Sequence, residues 1–78
     1  MHMVNVLEAV KIEFIRASSK HAPMNSHHEA YAVIAEEFEE YWREVQKGGK
    51  TSPRDPEALK QELIETAAMC VRALHDLC

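Results

Sequence analysis

Apolar residues recur along this chain at intervals of three and four, and the recurrence breaks twice. Met3, Leu7, Val10, Phe14 and Ala17 form the first stripe, with Glu8, Lys11 and Glu13 off it. That spacing predicts a helix over about 3–18. Ser18 to Asn25 interrupts the pattern, and Pro23 disfavours helical backbone at Ala22. Ser26-His27-His28-Glu29 then reads as a capping box, a hydroxyl and a carboxylate positioned to satisfy the free backbone donors of a new helix. The second stripe, Ala30, Ile34, Phe38, Tyr41 and Val45, predicts a helix over about 26–47. Gly48-Gly49 stops it, and Lys50 to Arg54 forms the connection. Asp55-Pro56-Glu57 opens a third helix, with Asp as N-cap, Pro in the first turn and an acid at the positive dipole end. Its stripe is Leu59, Leu63, Ala67, Cys70, Leu74 and Leu77, so the helix runs over about 56–77. No alternating strand pattern, repeat or low-complexity segment is visible.

The expected fold class is therefore all-α: a single domain over residues 1–78, with the second and third helices an antiparallel hairpin across their short Gly-rich connection. Tyr31, Phe38 and Trp42 widen the apolar arc of the second helix beyond what one neighbour covers. A three-helix chain of 78 residues has little core of its own. The expectation is a homodimer or higher homo-oligomer in which these faces complete a helical bundle.

Composition narrows the classes. Hydrophobic residues make up 46% of the chain, enough for a core, which excludes wholesale disorder. A net charge of -4 and a pI near 5.7 leave no basic stripe to displace counterions, so a nucleic-acid polymer is not an expected partner. No apolar run is long enough to cross a bilayer and the N-terminus has no signal-peptide pattern, so the expected setting is cytoplasmic, away from membranes. Cys70, inside a helix, and Cys78, the last residue, then read as reduced thiols. Cys70 has no activating neighbour, which argues against cysteine catalysis.

The chemistry concentrates in glutamates. The second helix carries Glu36, Glu37, Glu39, Glu40 and Glu44. An acidic helix is ordinarily just a solvated face, but the rotation here is specific. Measured from Ile34, Glu37 lies about 60° off the stripe and Glu40 about 120° off on the same side, while Glu36 and Glu39 point away. Measured from Leu63, Glu62 lies about 100° off and Glu65 about 160° off, again to one side. In an antiparallel pair, offsets of one sign fall along one edge of the seam. Heights match as well, because Glu40 and Glu62 each lie roughly 9–10 Å along the helix from the connection, with Glu37 and Glu65 one turn further. Four converging carboxylates repel one another unless a cation neutralises them. Oxygen-only donors favour Mg²⁺ or Mn²⁺ over zinc.

These motifs resemble the MazG-like, all-α nucleoside triphosphate pyrophosphohydrolases, whose signature is a Glu-Glu-x-x-Glu helix followed by a Glu-x-x-Asp helix. Here the first element is Glu36-Glu37-Phe38-Glu39-Glu40, followed by Trp42, and the second is Glu62-Leu63-Ile64-Glu65, followed by Thr66-Ala67-Ala68-Met69. The run His28-Glu29-Ala30-Tyr31-Ala32-Val33 is similar to a small single-domain subgroup, and the likeness spans roughly Met24 to Leu77. It implies Mg²⁺-dependent cleavage between the α- and β-phosphates of a nucleoside triphosphate, giving monophosphate and pyrophosphate. Carried over by position, Glu37, Glu40 and Glu62 are the catalytic metal ligands. Glu65, standing where the family has Asp, joins them as a metal residue. Many relatives continue into a further helix with phosphate- or base-contacting Lys and Asn, so the first helix or a second subunit is expected to supply those contacts here.

Other residues carry weaker signals. His27 and His28 start a helix and are expected in solvent. Tyr41 and Trp42 have the character of packing residues more than of base-stacking ones. Met69 suits an adaptable core position. Lys47, Lys50 and Arg54 cluster in the connection and could reach triphosphate oxygens, yet a basic loop is ordinarily just a solvated one. Gly48-Gly49-Lys50-Thr51 follows a helix and lacks the strand and glycine spacing of a phosphate loop. Beside the enzyme reading stands a second one: a non-catalytic helical module of the same fold that dimerises or binds another protein.

Overall fold

A computed structural model describes residues 1–49 and 51–78. Lys50, the middle of the basic connection, lies outside them. The chain forms three helices, α1 (Met3–Lys20), α2 (His27–Gln46) and α3 (Pro56–Leu77), and no strand occurs among the described residues.

The helix ends follow local chemistry. The hydroxyl of Ser26 accepts from the Glu29 N–H at 3.1 Å, and a Glu29 carboxylate oxygen accepts from the Asn25 N–H at 3.0 Å. The acid thus reaches one residue further back than a capping box requires. At α3, the Asp55 carboxylate accepts from the Glu57 N–H at 3.0 Å, and Pro56, without an N–H to strand, stands first. After α2 the chain turns through Gly48, whose φ of 135° suits a residue lacking Cβ, and the Gly48 N–H donates to the Ser52 carbonyl at 2.7 Å.

α3 is the central element: both α1 and α2 pack against it, while no Cα of α1 comes within 8 Å of one in α2. The result is a slab of 43 × 29 × 19 Å. Its core is built from small or flexible residues, Ala17 of α1, Met24 of the α1–α2 connection, Ala30 of α2, and Ala68 and Met69 of α3. Val10, Phe14, Val33, Ile34, Ala73 and Leu77 pack around them. Two long-range bonds tie the connection to α3. Arg72 Nη2 donates to the Ala22 carbonyl at 3.1 Å, and the Met24 N–H donates to Asp76 at 2.9 Å.

The phase of the stripes departs from the expectation. Met3, Leu7, Phe38, Leu63, Cys70 and Leu74 are exposed, whereas Glu13 and Arg72 are buried. The reason is geometric. Where two helices pack against one central helix, alanines allow the closest approach and the bulky residues are left on the open faces. Met69 is buried, as its type suggested. Ala68 has no accessible surface at all, so Ala68→Leu has nowhere to put its added carbons. It should cost about 1–3 kcal/mol through overpacking, and thermal melting checks this. A variant melting with the parent would mean that the three helices leave room there.

Candidate metal centre

Glu37 and Glu40 are one turn apart on α2, and Glu62 and Glu65 one turn apart on α3. Helical twist puts each pair on one face, and packing of α2 on α3 brings the faces together. One carboxylate oxygen from each of Glu37, Glu40, Glu62 and Glu65 lies within 4.8 Å of the other three. All four candidate residues are therefore in one place, part-buried. Glu36 and Glu39 are exposed and outside the group.

The electrostatics are those of unneutralised acids. Glu37 is pushed up to about 7, first by burial and then by the charges of Glu40, Glu65 and Glu62. Glu62 is pushed up to about 7 by burial and by Glu65 and Glu40. One oxygen on each of Glu37 and Glu62 is buried and has no hydrogen-bond partner among the described residues. One support holds the cluster from α3, where Gln61 donates to Glu65 at 3.1 Å; the Thr66 hydroxyl donates to the Glu62 backbone carbonyl at 2.7 Å and does not reach its carboxylate.

The donor set fits a hard divalent cation. Oxygens on opposite sides of Mg²⁺ stand roughly 4 Å apart, and around Ca²⁺ roughly 5 Å, given bond lengths of about 2.1 and 2.4 Å. The four oxygens, none more than 4.8 Å from another, lie within the Ca²⁺ span and would draw in by about half an ångström around Mg²⁺. No nitrogen or sulfur donor is among the four residues, consistent with Mg²⁺ or Mn²⁺ over softer metals.

A cavity of about 380 Å³ adjoins the cluster, with Glu37 and Glu65 in its wall alongside Glu13, Arg16 and Arg72. Both Arg16 nitrogens in contact with Glu13 donate to its two oxygens, and the resulting hydrogen bond is the first cause holding Glu13 below its ordinary pKa. The charges of Glu65 and Glu37 also help to raise Arg16, so this cation faces the cluster from α1. Sequence reasoning did not find Glu13, Arg16, Arg72 or Asp76. The one available signal was their register, because Arg72 and Asp76 follow Ala68 at steps of four along α3.

Other expected residues fall elsewhere. His27 and His28 are exposed, Tyr41 is part-buried, and Trp42 is half exposed. Lys47 pairs with Glu44 at 2.9 Å, and Arg54 Nε donates to the Val45 carbonyl at 2.9 Å, so both cations fasten the end of α2. Cys70 and Cys78 are free and exposed. None of the described helices is long and apolar enough to cross a membrane. No family model, curated protein or solved structure matches the chain. The likeness to MazG-like enzymes rests on the motif residues themselves.

Proposed function

We propose that Glu37, Glu40, Glu62 and Glu65 hold Mg²⁺ or Mn²⁺, and that the protein is a MazG-like pyrophosphohydrolase converting a nucleoside triphosphate to its monophosphate and pyrophosphate. The observation that carries this reading is the convergence of four carboxylates with buried, unpartnered oxygens on Glu37 and Glu62. When bound, the cation supplies Lewis-acid polarisation of phosphate oxygens and acidifies a bound water. The chain's part is to fix the carboxylates in place. α2 and α3 run as an antiparallel hairpin, so the two Glu-x-x-Glu pairs stay level with each other. Gln61 steadies the Glu65 carboxylate at the same height. Glu37 and Glu62, whose proton affinity without a cation lies near neutral pH, would give up their protons to hold it. The setting is cytoplasmic, with Cys70 and Cys78 as thiols.

The test is pyrophosphate release from a panel of nucleoside triphosphates with Mg²⁺. Release that stops on chelation supports the reading. Failure on every triphosphate, despite cation binding, moves the protein to the non-catalytic reading.

That second reading, an oligomerisation or protein-interaction module, is favoured by one observation: Val4, Leu7, Ile12, Ile15, Tyr31, Phe38, Trp42, Leu63 and Leu74 are large, apolar and exposed. A second apolar cavity of about 330 Å³, lined by Val6, Val10, Leu63, Ile64 and Ala67, adds to that surface. Both readings share a homodimer or higher oligomer, since such surface is unusual on a small monomer. Light scattering at micromolar concentration should give at least twice the 8.9 kDa chain mass. A stable monomer would contradict it.

A further inference from the structure

Large apolar side chains left in solvent collect on the side of the molecule turned away from the glutamates. At about 100° of rotation per residue, Leu63, Cys70 and Leu74 lie about 140–180° round α3 from Glu65, and all three are exposed. Phe38 and Trp42, also exposed, lie about 160° round α2 from Glu40. On α1, exposed Leu7 is about 180° from Arg16, which lines the cavity beside the glutamates. The second cavity joins α1 to α3 on this side, with Val6 and Val10 against Leu63, Ile64 and Ala67.

Area and spacing say what covers this face. The accessible surface of the chain is 5742 Å², whereas a compact monomer of 8.9 kDa exposes about 4,800 Å². The excess, roughly 900 Å², is close to the ~800 Å² that each partner gives up in a standard interface. Along α3, Leu63, Ala67, Cys70 and Leu74 are spaced by four, three and four, the repeat with which two helices pack side by side. Small residues stand at its middle, where two backbones come closest. The stripe is uncharged, and Lys60 at its head pairs with Glu57 at 3.3 Å, so two such stripes meet without unpaired like charges. Lipid is a poor match, because a helical face that lies on a membrane is rimmed with Lys and Arg, and the net charge here is -4.

We propose that a second copy of this chain covers the face, α3 against α3 about a two-fold axis at the middle of the Leu63–Leu74 stripe, with both glutamate clusters turned outward and each complete within its own chain. The proposal shares with the readings above only the expectation of an oligomer, and the measurements that test it contain neither metal nor nucleotide. Cys70 lies about 2 Å along α3 from that axis. Helices packed at about 8–10 Å bring the two Cys70 Cα atoms to roughly 10 Å, whichever way the two α3 run.

Cross-linking reads this directly. Cys78→Ser, which leaves Cys70 as the one thiol of the chain, is treated at micromolar concentration with a short bis-maleimide. Most of the protein should join to twice 8.9 kDa, and the same treatment in urea should leave it single. Two further variants are followed by light scattering across a dilution series. Leu74→Glu sets one carboxylate per copy into the apolar contact and should weaken the dimer about a hundredfold or more, since desolvated like charges repel. Ile12→Glu changes a residue that is also exposed but lies about 140° round α1 from Leu7, and it should leave the dimer intact. Leu74 is exposed in the single chain, so its replacement spares the packing of the three helices; if that variant still fails to melt cooperatively, the Cys70 cross-link decides. A parent that stays at 8.9 kDa overturns the proposal and leaves the face to a different partner. A dimer broken by Ile12→Glu but not by Leu74→Glu overturns it as well, as does a Cys70 that joins no faster in the folded protein than in urea. In those two cases the oligomer stands on another face.

Discussion

Glu37→Gln should weaken Mn²⁺ binding by about a hundredfold or more, because a unit charge within a few ångströms of a cation is worth several kcal/mol even at an effective dielectric of about 20. Glutamine keeps the shape of the side chain, so the fold survives and the loss reports on charge alone. The same change should raise the melting temperature of the metal-free protein. Glu37 sits among Glu40, Glu62 and Glu65 with one buried oxygen unpartnered. Glutamine removes a repelling charge and offers an N–H₂ donor to the remaining carboxylates. Glu62→Gln should behave alike, since its surroundings are nearly the same. Glu65→Gln should match them, because its oxygen lies within the same 4.8 Å group; an intermediate loss would assign Glu65 to the support of the site. Glu39→Gln is the control, exposed and outside the cluster. Titration calorimetry of Mn²⁺ into each variant reads the result. Equal affinity for the parent and Glu37→Gln ends the metal-site reading.

The convergence of these acids was legible in the sequence even though the stripes were misphased, and the reason is instructive. The three-residue spacing of each pair and their matching heights from the connection do not depend on which residue is taken as the centre of the apolar stripe. The side of the seam does, since it was measured from Ile34 and Leu63, and that is the step the misphased stripes put at risk. Helix limits were legible without that step, since Ser26, Asp55, Pro56 and Gly48 act on backbone groups within a few residues. Burial is a different matter. Choosing Leu63 as the centre of α3 weighted bulk, whereas the packed layer selects Ala68 and Met69. Arg72 and Asp76 are buried or engaged through partners 50 and 52 residues away in sequence, Ala22 and Met24. No local pattern announces such a bond, and a charged residue on a helix reads as solvent-facing until its distant acceptor is known.

Metal-free protein should become less stable as pH rises from 5 to 8, and Mn²⁺ should reverse that trend. Glu37 and Glu62 are both pushed up to about 7 from an ordinary value of 4.5. Between those values the folded chain keeps protons that the unfolded chain releases, so unfolding becomes more favourable with each step up in pH. The stability these groups contribute is complete below about 4.5 and is lost as pH passes through about 7. Both are part-exposed, and solvent screening leaves about 1 kcal/mol in all, or roughly 4–8 °C in melting temperature for a chain of this size. Glu13 and Asp76 act in the opposite sense but outside this range. Their pKa values are lowered, by Arg16 for Glu13 and by His75 and the Met24 N–H for Asp76, so their contribution fades only in acid. Cation binding needs the glutamates deprotonated, so Mn²⁺ must compete with protons at low pH and binds freely above about 7. A ligand that binds only the folded state raises the melting temperature in proportion to the logarithm of its excess over Kd. Melting curves with chelator and with excess Mn²⁺ should therefore lie close together at pH 5 and far apart at pH 8. The double variant Glu37→Gln, Glu62→Gln should flatten the metal-free slope and remove the divergence together, since both arise from the same two carboxylates. A metal-free stability that is level or rises across this range, or a Mn²⁺ effect as large at pH 5 as at pH 8, would show that the four glutamates neither crowd one another nor bind the cation as a group.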